Sequence, residues 1–229
     1  MAEKRKIARE IARQFIARND PLGWFEALYR QAGENLDTVP WADRRPNPSF
    51  VRWLNRHPVS GAGLSALKVG CGLGDDAEEL ARRGFRVTAF DISETAIAWC
   101  RRRFPGSSVS YRVEDLFVSP PSWREAFDFV LESYTLQVLP ADLRPVAADR
   151  IRRFVAPGGR LLVICRGREP GEDPGKMPWP LTRDELLPFA AGELVQEAFE
   201  DFMDDEDPPA RRFMAVFRAR TFPVKKPAG

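Results

Sequence analysis

The chain has 229 residues, 44% hydrophobic and 30% charged, so it is long enough to bury a sizeable core and has an ordinary globular composition. Lys and Arg number 35 against 33 Asp and Glu, and the formal charge of +2 sets up no field that would draw nucleic acid or an anionic membrane surface. Three scattered cysteines and a single histidine argue against a disulfide framework and a zinc site, and no apolar run reaches the length of a bilayer span. The basic N-terminus leads into an amphipathic stretch without an apolar signal core, which points to a cytoplasmic protein.

Ile7, Ile11 and Phe15 recur at four-residue spacing with Lys and Arg opposite, which predicts an amphipathic helix ending near Asn19-Asp20-Pro21. Trp24, Phe25, Leu28 and Tyr29 predict a second, short helix. A proline-rich link from Val39 to Pro48 then leads to a helix through Phe50, Val51 and Leu54. Residues 1–56 are expected to form a helical cap or lid, and residues 57–229 the main domain. Three placements suit the first helix: over a ligand, at a dimer face, or against the edge of a sheet, the last being the plainest. Monomer and homodimer both remain open.

From Leu64 the text alternates. Strands are expected at Ala66–Gly70, Arg86–Asp91, Ser108–Val113, Phe127–Glu132 and Arg160–Cys165, with helices at Asp75–Arg83, Glu94–Arg103 and Asp142–Val155. Pro157-Gly158-Gly159 reads as the stop of the long helix. Thr182–Phe189 reads as a short capped helix, and Glu193–Phe202 with Arg212–Ala219 as a closing antiparallel pair. The fold class is therefore α/β: a doubly wound, Rossmann-like, mostly parallel seven-stranded sheet with an antiparallel final strand and an N-terminal helical cap. The acidic run between Glu197 and Asp207 reads as a solvated hairpin tip. The alternative is that one or two of its acids reach a pocket and select a cationic substrate.

Leu67-Lys68-Val69-Gly70-Cys71-Gly72-Leu73-Gly74 leaves a strand and enters a helix, where glycines admit a ligand close to the backbone and a helix N-terminus offers free amides. The spacing is GxGxG, which differs from the GxGxxG of most dinucleotide sites. Asp91 ends the second strand about twenty residues on, where a carboxylate can accept both hydroxyls of a ribose.

This loop, Phe90-Asp91-Ile92-Ser93, the Phe127–Glu132 strand and Phe154 to Leu161 together resemble, in order, the motif series of class I S-adenosylmethionine-dependent methyltransferases. The resemblance implies S-adenosyl-L-methionine as cofactor, with Gly70, Cys71, Gly72 and Gly74 along its methionine moiety and Asp91 on its ribose. Ile92, Glu114, Asp115 and Leu116 would lie around the adenine, and Glu132 and Tyr134 would line the methyl-transfer mouth. One position departs from the pattern. Lys68 stands where many members carry an acid, and its ammonium must point away from a sulfonium or pair with an acid. The link through Trp41, Arg45, Pro46 and Pro48, and the stretch Pro140 to Pro145 with Arg144, resemble segments of thiopurine and halide/thiol methyltransferases. The tail from Pro178 resembles tellurite-resistance methyltransferases about equally.

The expected reaction is in-line methyl transfer to a small molecule through S, N, O or halide, with Trp41 placed to face the cofactor and, with Arg45, Tyr134 and Arg144, the substrate. Glu132 and Tyr134 are the candidate catalytic groups. A nicotinamide-dependent oxidoreductase or a non-catalytic binding protein on the same sheet stands as the alternative.

Overall fold

The computed structural model describes residues 2–57 and 59–221. Three helices, α1 (Ala2–Ile16), α2 (Gly23–Ala32) and α3 (Pro48–Arg56), precede the alternating part. There β1 (Ser65–Val69), α4 (Asp75–Arg82), β2 (Arg86–Asp91), α5 (Glu94–Arg103) and β3 (Ser110–Val113) build one half of a sheet. The strands β4 (Phe127–Ser133), β5 (Val155–Arg166), β6 (Leu194–Met203) and β7 (Arg211–Ala219), with α6 (Arg144–Arg152), build the other. The strand order is β3-β2-β1-β4-β5-β7-β6. Neighbours from β3 to β5 run parallel, and β7 runs antiparallel to both β5 and β6. The chain winds outward from β1 to β3, then returns to β4 on the other side of β1. That reversal opens a crevice at the carboxyl ends of β1 and β4, where ligands of open α/β sheets bind.

The central strands are apolar because both their faces are covered, and consecutive residues serve different layers. Leu67, Val130, Leu161 and Val163 pack with α6 residues Ala147, Ala148 and Ile151. Ala66, Leu131, Leu162 and Ile164 pack on the opposite face with Leu80 of α4, Ile97 of α5, and Phe50, Trp53 and Leu54 of α3. Helix α3 thus shares the core of the sheet, whereas α1 and α2 form a separate apolar cluster from Ala8, Ala12, Trp24 and Leu28 around Met177. Helix α1 lies on α2 and on this Met177 loop, and its Arg9 Nε donates to the Met177 carbonyl at 2.5 Å, so the sheet-edge placement is not adopted. No helix among the described residues is long and apolar enough to cross a membrane.

Beyond shifts of one or two residues at several element ends, three expected features differ. Helix α6 ends at Arg152, and Pro157-Gly158-Gly159 falls inside β5, at a shift in its pairing with β4 between Phe127 and Phe129. A side chain at Gly159 would stand 2.9–3.0 Å from the carbonyls of Ala156, Asp128 and Phe127, so the glycine serves a close strand approach and not a helix stop. The Thr182–Phe189 segment is a 3-10 helix over Asp184–Ala190, because Pro188 removes an amide that an α-helix would use. Its cap is as expected: Thr182 N donates to Glu185 Oε2 at 2.9 Å, and Glu185 N donates back to Thr182 Oγ1 at 3.3 Å.

Candidate cofactor and acceptor site

Strand β1 runs into a loop that crosses the end of β2. Gly70 and Gly72 take φ of 55° and 54°, the left-handed region where a Cβ is strained. At Gly70 a Cβ would also sit 2.5 Å from Thr135 Oγ1. The loop is fastened to β2 by Cys71 N donating to the Phe90 carbonyl at 2.8 Å and by Gly72 N donating to Asp91 Oδ2 at 2.9 Å. Asp91 Oδ1 accepts from Ser93 N at 3.0 Å, so the carboxylate is clamped between the glycine loop and the start of α5. Burial pushes the Asp91 carboxyl up, opposed by the Ser93 and Gly72 amides and the charge of Lys68.

Lys68 is only 3% exposed, and its Nζ donates to the carbonyls of Val69 at 2.7 Å and Gly70 at 3.2 Å. Its charge favours ionisation of three acids around it, the half-buried Asp76 and the buried Asp91 and Glu132. The ammonium is therefore turned into the protein, where it offsets carboxylates. Glu132 is fully buried: its Oε1 accepts from Thr135 N at 2.7 Å and Leu136 N at 3.0 Å, while Oε2 has no partner. Burial raises its pKa to about 7, against the pull of those amides and of Lys68. It braces the turn after β4 from behind and does not face the cavity, contrary to the expectation of a mouth-lining acid.

The crevice is one cavity of about 680 Å³, within the range of small-ligand sites. Gly70, Cys71, Gly72, Asp91, Ile92, Glu114, Asp115 and Leu116 line one end, and Trp41, Arg45 and Tyr134 are also on its wall. Gly74 is not. It caps α4, and a side chain there would meet Tyr111 Oη at 2.6 Å. Nor is Arg144, whose guanidinium is buried against the Leu139 carbonyl at 3.0 Å, Glu185 at 2.5 Å and the Trp179 ring, so the expected substrate role for it is not available. Trp41 donates its indole N–H to Tyr29 Oη at 2.7 Å, which holds the proline-rich link over the glycine loop.

The structure also brings in Asp76 and Asn47, to which no sequence motif pointed. Asp76, in the first turn of α4, accepts from Asn47 N at 2.7 Å, and Asn47 Nδ2 donates to Ser133 Oγ at 3.1 Å. Asn47 Oδ1 meanwhile caps α3 by accepting from Ser49 N and Phe50 N. One N-cap residue thereby ties α3, α4 and β4 together beside the cavity. Tyr134 has φ of 67°, an unfavourable conformation for a ring-bearing residue that its surroundings must impose. Its N–H donates to the Ile164 carbonyl at 3.0 Å, and the Arg212 guanidinium lies over its ring at 4.8 Å. The far wall comes from α1 through Arg5 and Ala8, from Met177 and Pro178, and from the β6–β7 turn through Asp204, Asp205 and Glu206. The acidic run is thus a hairpin tip that also reaches the pocket. Signals for these residues were present only as an N-cap before Pro48 and as the acidic run itself.

Residues 66–159 match the family model of a methyltransferase domain. A probable thiol methyltransferase of Arabidopsis thaliana is 26% identical over 161 residues, 69% of this chain and 67% of that protein. A ubiquinone biosynthesis O-methyltransferase of Pseudomonas syringae is 35% identical over 129 residues, 54% of this chain and 53% of the relative, so the chain spans about half the length of that relative. Among solved structures, the N-methyltransferase NodS of Bradyrhizobium japonicum in complex with S-adenosyl-L-homocysteine superposes with a TM-score of 0.66 at 22% identity, over 84% of this chain and 96% of that one. The sheet order, the glycine loop with Asp91 and these matches define a class I methyltransferase domain. That domain lies at residues 66–159, and over a longer span the chain is similar to thiol and O-methyltransferases.

Proposed function

We propose that the acceptor is a small molecule held in the same cavity as the cofactor, between the β4 turn and the wall made by α1, the Met177 loop and the β6–β7 hairpin. The observation that carries this reading is the cavity itself: it runs from Asp91 and Leu116 at one end to Arg5 and Glu206 at the other. In the proposed arrangement Asp91 accepts from the ribose hydroxyls, and Ile92 and Leu116 enclose the adenine with Glu114 and Asp115 at its edge. Asp76 offers the carboxylate at the amino-acid end that Lys68 does not. It sits on the wall in the first turn of α4, directly after the loop, braced by Asn47.

When bound, S-adenosylmethionine supplies a methyl group whose bond to sulfur breaks as the acceptor lone pair forms the new bond, leaving S-adenosylhomocysteine. The chain's part is to align the acceptor and exclude water, which together supply most of the rate in such a displacement. Ser133, Tyr134 and Trp41 are the groups placed to do so, with Tyr134 held rigid by its backbone and by Arg212. A thiolate acceptor needs no base, and a neutral acceptor releases its proton to water or to Asp76.

Calorimetry with S-adenosylhomocysteine tests the reading. The native chain is expected to bind, and Asp91→Ala is expected to weaken binding by about tenfold to a hundredfold, the worth of a charge-assisted hydrogen bond. Absence of binding by the native chain overturns the site. Equal binding by Asp91→Ala overturns the ribose assignment alone.

A further inference from the structure

The acceptor end of the cavity carries a charge pattern that methyl transfer does not itself require. Three guanidiniums from separate elements, Arg5 of α1, Arg166 at the end of β5 and Arg212 at the start of β7, surround one carboxylate, Glu206 of the hairpin turn, at 3.8, 3.6 and 2.5 Å. Only Arg212 is close enough for hydrogen bonds: Nε donates to Asp204 Oδ2 and Nη2 to Glu206 Oε1, each at 2.5 Å. Asp204 and one oxygen of Glu206 are thus engaged by Arg212, which is 1% exposed and keeps a buried Nη1 without a partner among the described residues, while Glu206 Oε2 is the oxygen nearest Arg5 and Arg166. Asp205 also lines this wall, but it is exposed at the tip.

Arg5 and Arg166 are left with contacts beyond hydrogen-bond length, and both line the cavity with side chains only 27% and 21% exposed. Burial, with the positive charges of Arg212 and Arg5 nearby, holds the Arg166 guanidinium below its usual range. Their donors face the cavity, and a second carboxylate there would give them charge-assisted acceptors and relieve the like-charge crowding. Glu206 already demonstrates that a carboxylate suits this cluster. The surrounding wall of Ala8, Val138, Leu139 and Met177 is apolar. We propose that the methyl acceptor carries a carboxylate, gripped by Arg5 and Arg166, on an apolar body that points its reactive atom toward Ser133 and Tyr134. The paired fork geometry of arginine matches a carboxylate at two points, so this grip also orients the acceptor.

The proposal rests on the methyltransferase reading, and one set of titrations separates the two. Benzoate and benzamide have the same shape and differ in charge, so each is titrated into the full chain, with and without saturating S-adenosylhomocysteine. Benzoate is expected to bind at least about tenfold more tightly than benzamide. In Arg166→Gln and in Arg5→Gln the preference is expected to fall below about threefold, while S-adenosylhomocysteine affinity, which reports an intact fold, stays within about twofold. Equal affinities, preference for benzamide, no binding of either probe, or a preference that survives in both variants overturns the proposal. Retained benzoate preference with no S-adenosylhomocysteine binding overturns the methyltransferase reading instead.

Discussion

Glu132 and Lys68 show how a residue can sit in a catalytic motif and do structural work. The Glu132 pKa is raised to about 7 from an ordinary 4.5, chiefly by burial, so the folded chain takes up its proton more readily than the unfolded one. Native stability therefore falls as pH rises through that interval and is flat above it. A glutamine imitates the protonated form. Glu132→Gln is expected to be more favourable at pH 8 than at pH 5 by about 2.5 kcal/mol in urea unfolding, and equal effects at the two pH values would overturn this account. Residues at this scale were only partly legible. Asp91 was readable because its place follows from strand length and spacing. Arg144 was not, because a short motif records no side-chain direction; the Leu139 carbonyl, Glu185 and Trp179 claim its guanidinium. Lys68 could be read as a misfit, but the acids around it come from three separate segments and meet only in the fold.

At the scale of elements, α2 is held to the sheet domain by Glu26. Its carboxylate accepts from Ser93 Oγ at 2.5 Å, Thr95 N at 3.1 Å and Thr95 Oγ1 at 2.8 Å, at the N-terminus of α5 where the helix dipole favours an anion. Burial works against the charge, yet hydrogen bonds from Ser93, Thr95 and Arg30 hold the carboxyl below its ordinary value. Losing this clamp loosens the link that carries Trp41. Glu26→Ala is expected to cost about 2 kcal/mol of stability and to weaken S-adenosylhomocysteine roughly fivefold, with faster proteolysis in residues 33–47. Unchanged proteolysis and affinity would show that α2 is not held this way. The alternation of strands and helices was legible because each element carries its own periodicity. The Pro157-Gly158-Gly159 reading failed because a bulge against β4 and a helix stop use the same residues. The β6–β7 turn was legible as a turn, but its reach to the cavity depends on the twist of strands distant in sequence.

For the whole molecule, the cavity has walls from α1, the link, the glycine loop, the β4 turn, the Met177 loop and the β6–β7 hairpin. No one of these walls holds a ligand alone, so a ligand that fills the cavity binds the assembled fold and not its parts. Binding to the native state alone adds about 2.7 kcal/mol of stability at a hundred times Kd. For a chain of this size that corresponds to a rise in melting temperature of about 5–10 °C. Because α1 and α2 share Met177 with the loop that follows β5, the cap and the sheet should move together in one transition. Scanning calorimetry with S-adenosylhomocysteine at that excess is expected to give a single peak shifted by this amount. Two peaks, of which only one moves, would mean that the cap unfolds separately. The far wall would then be a loose cover, and the grip of Arg5 on an acceptor would have to come from α1 docking after the ligand binds.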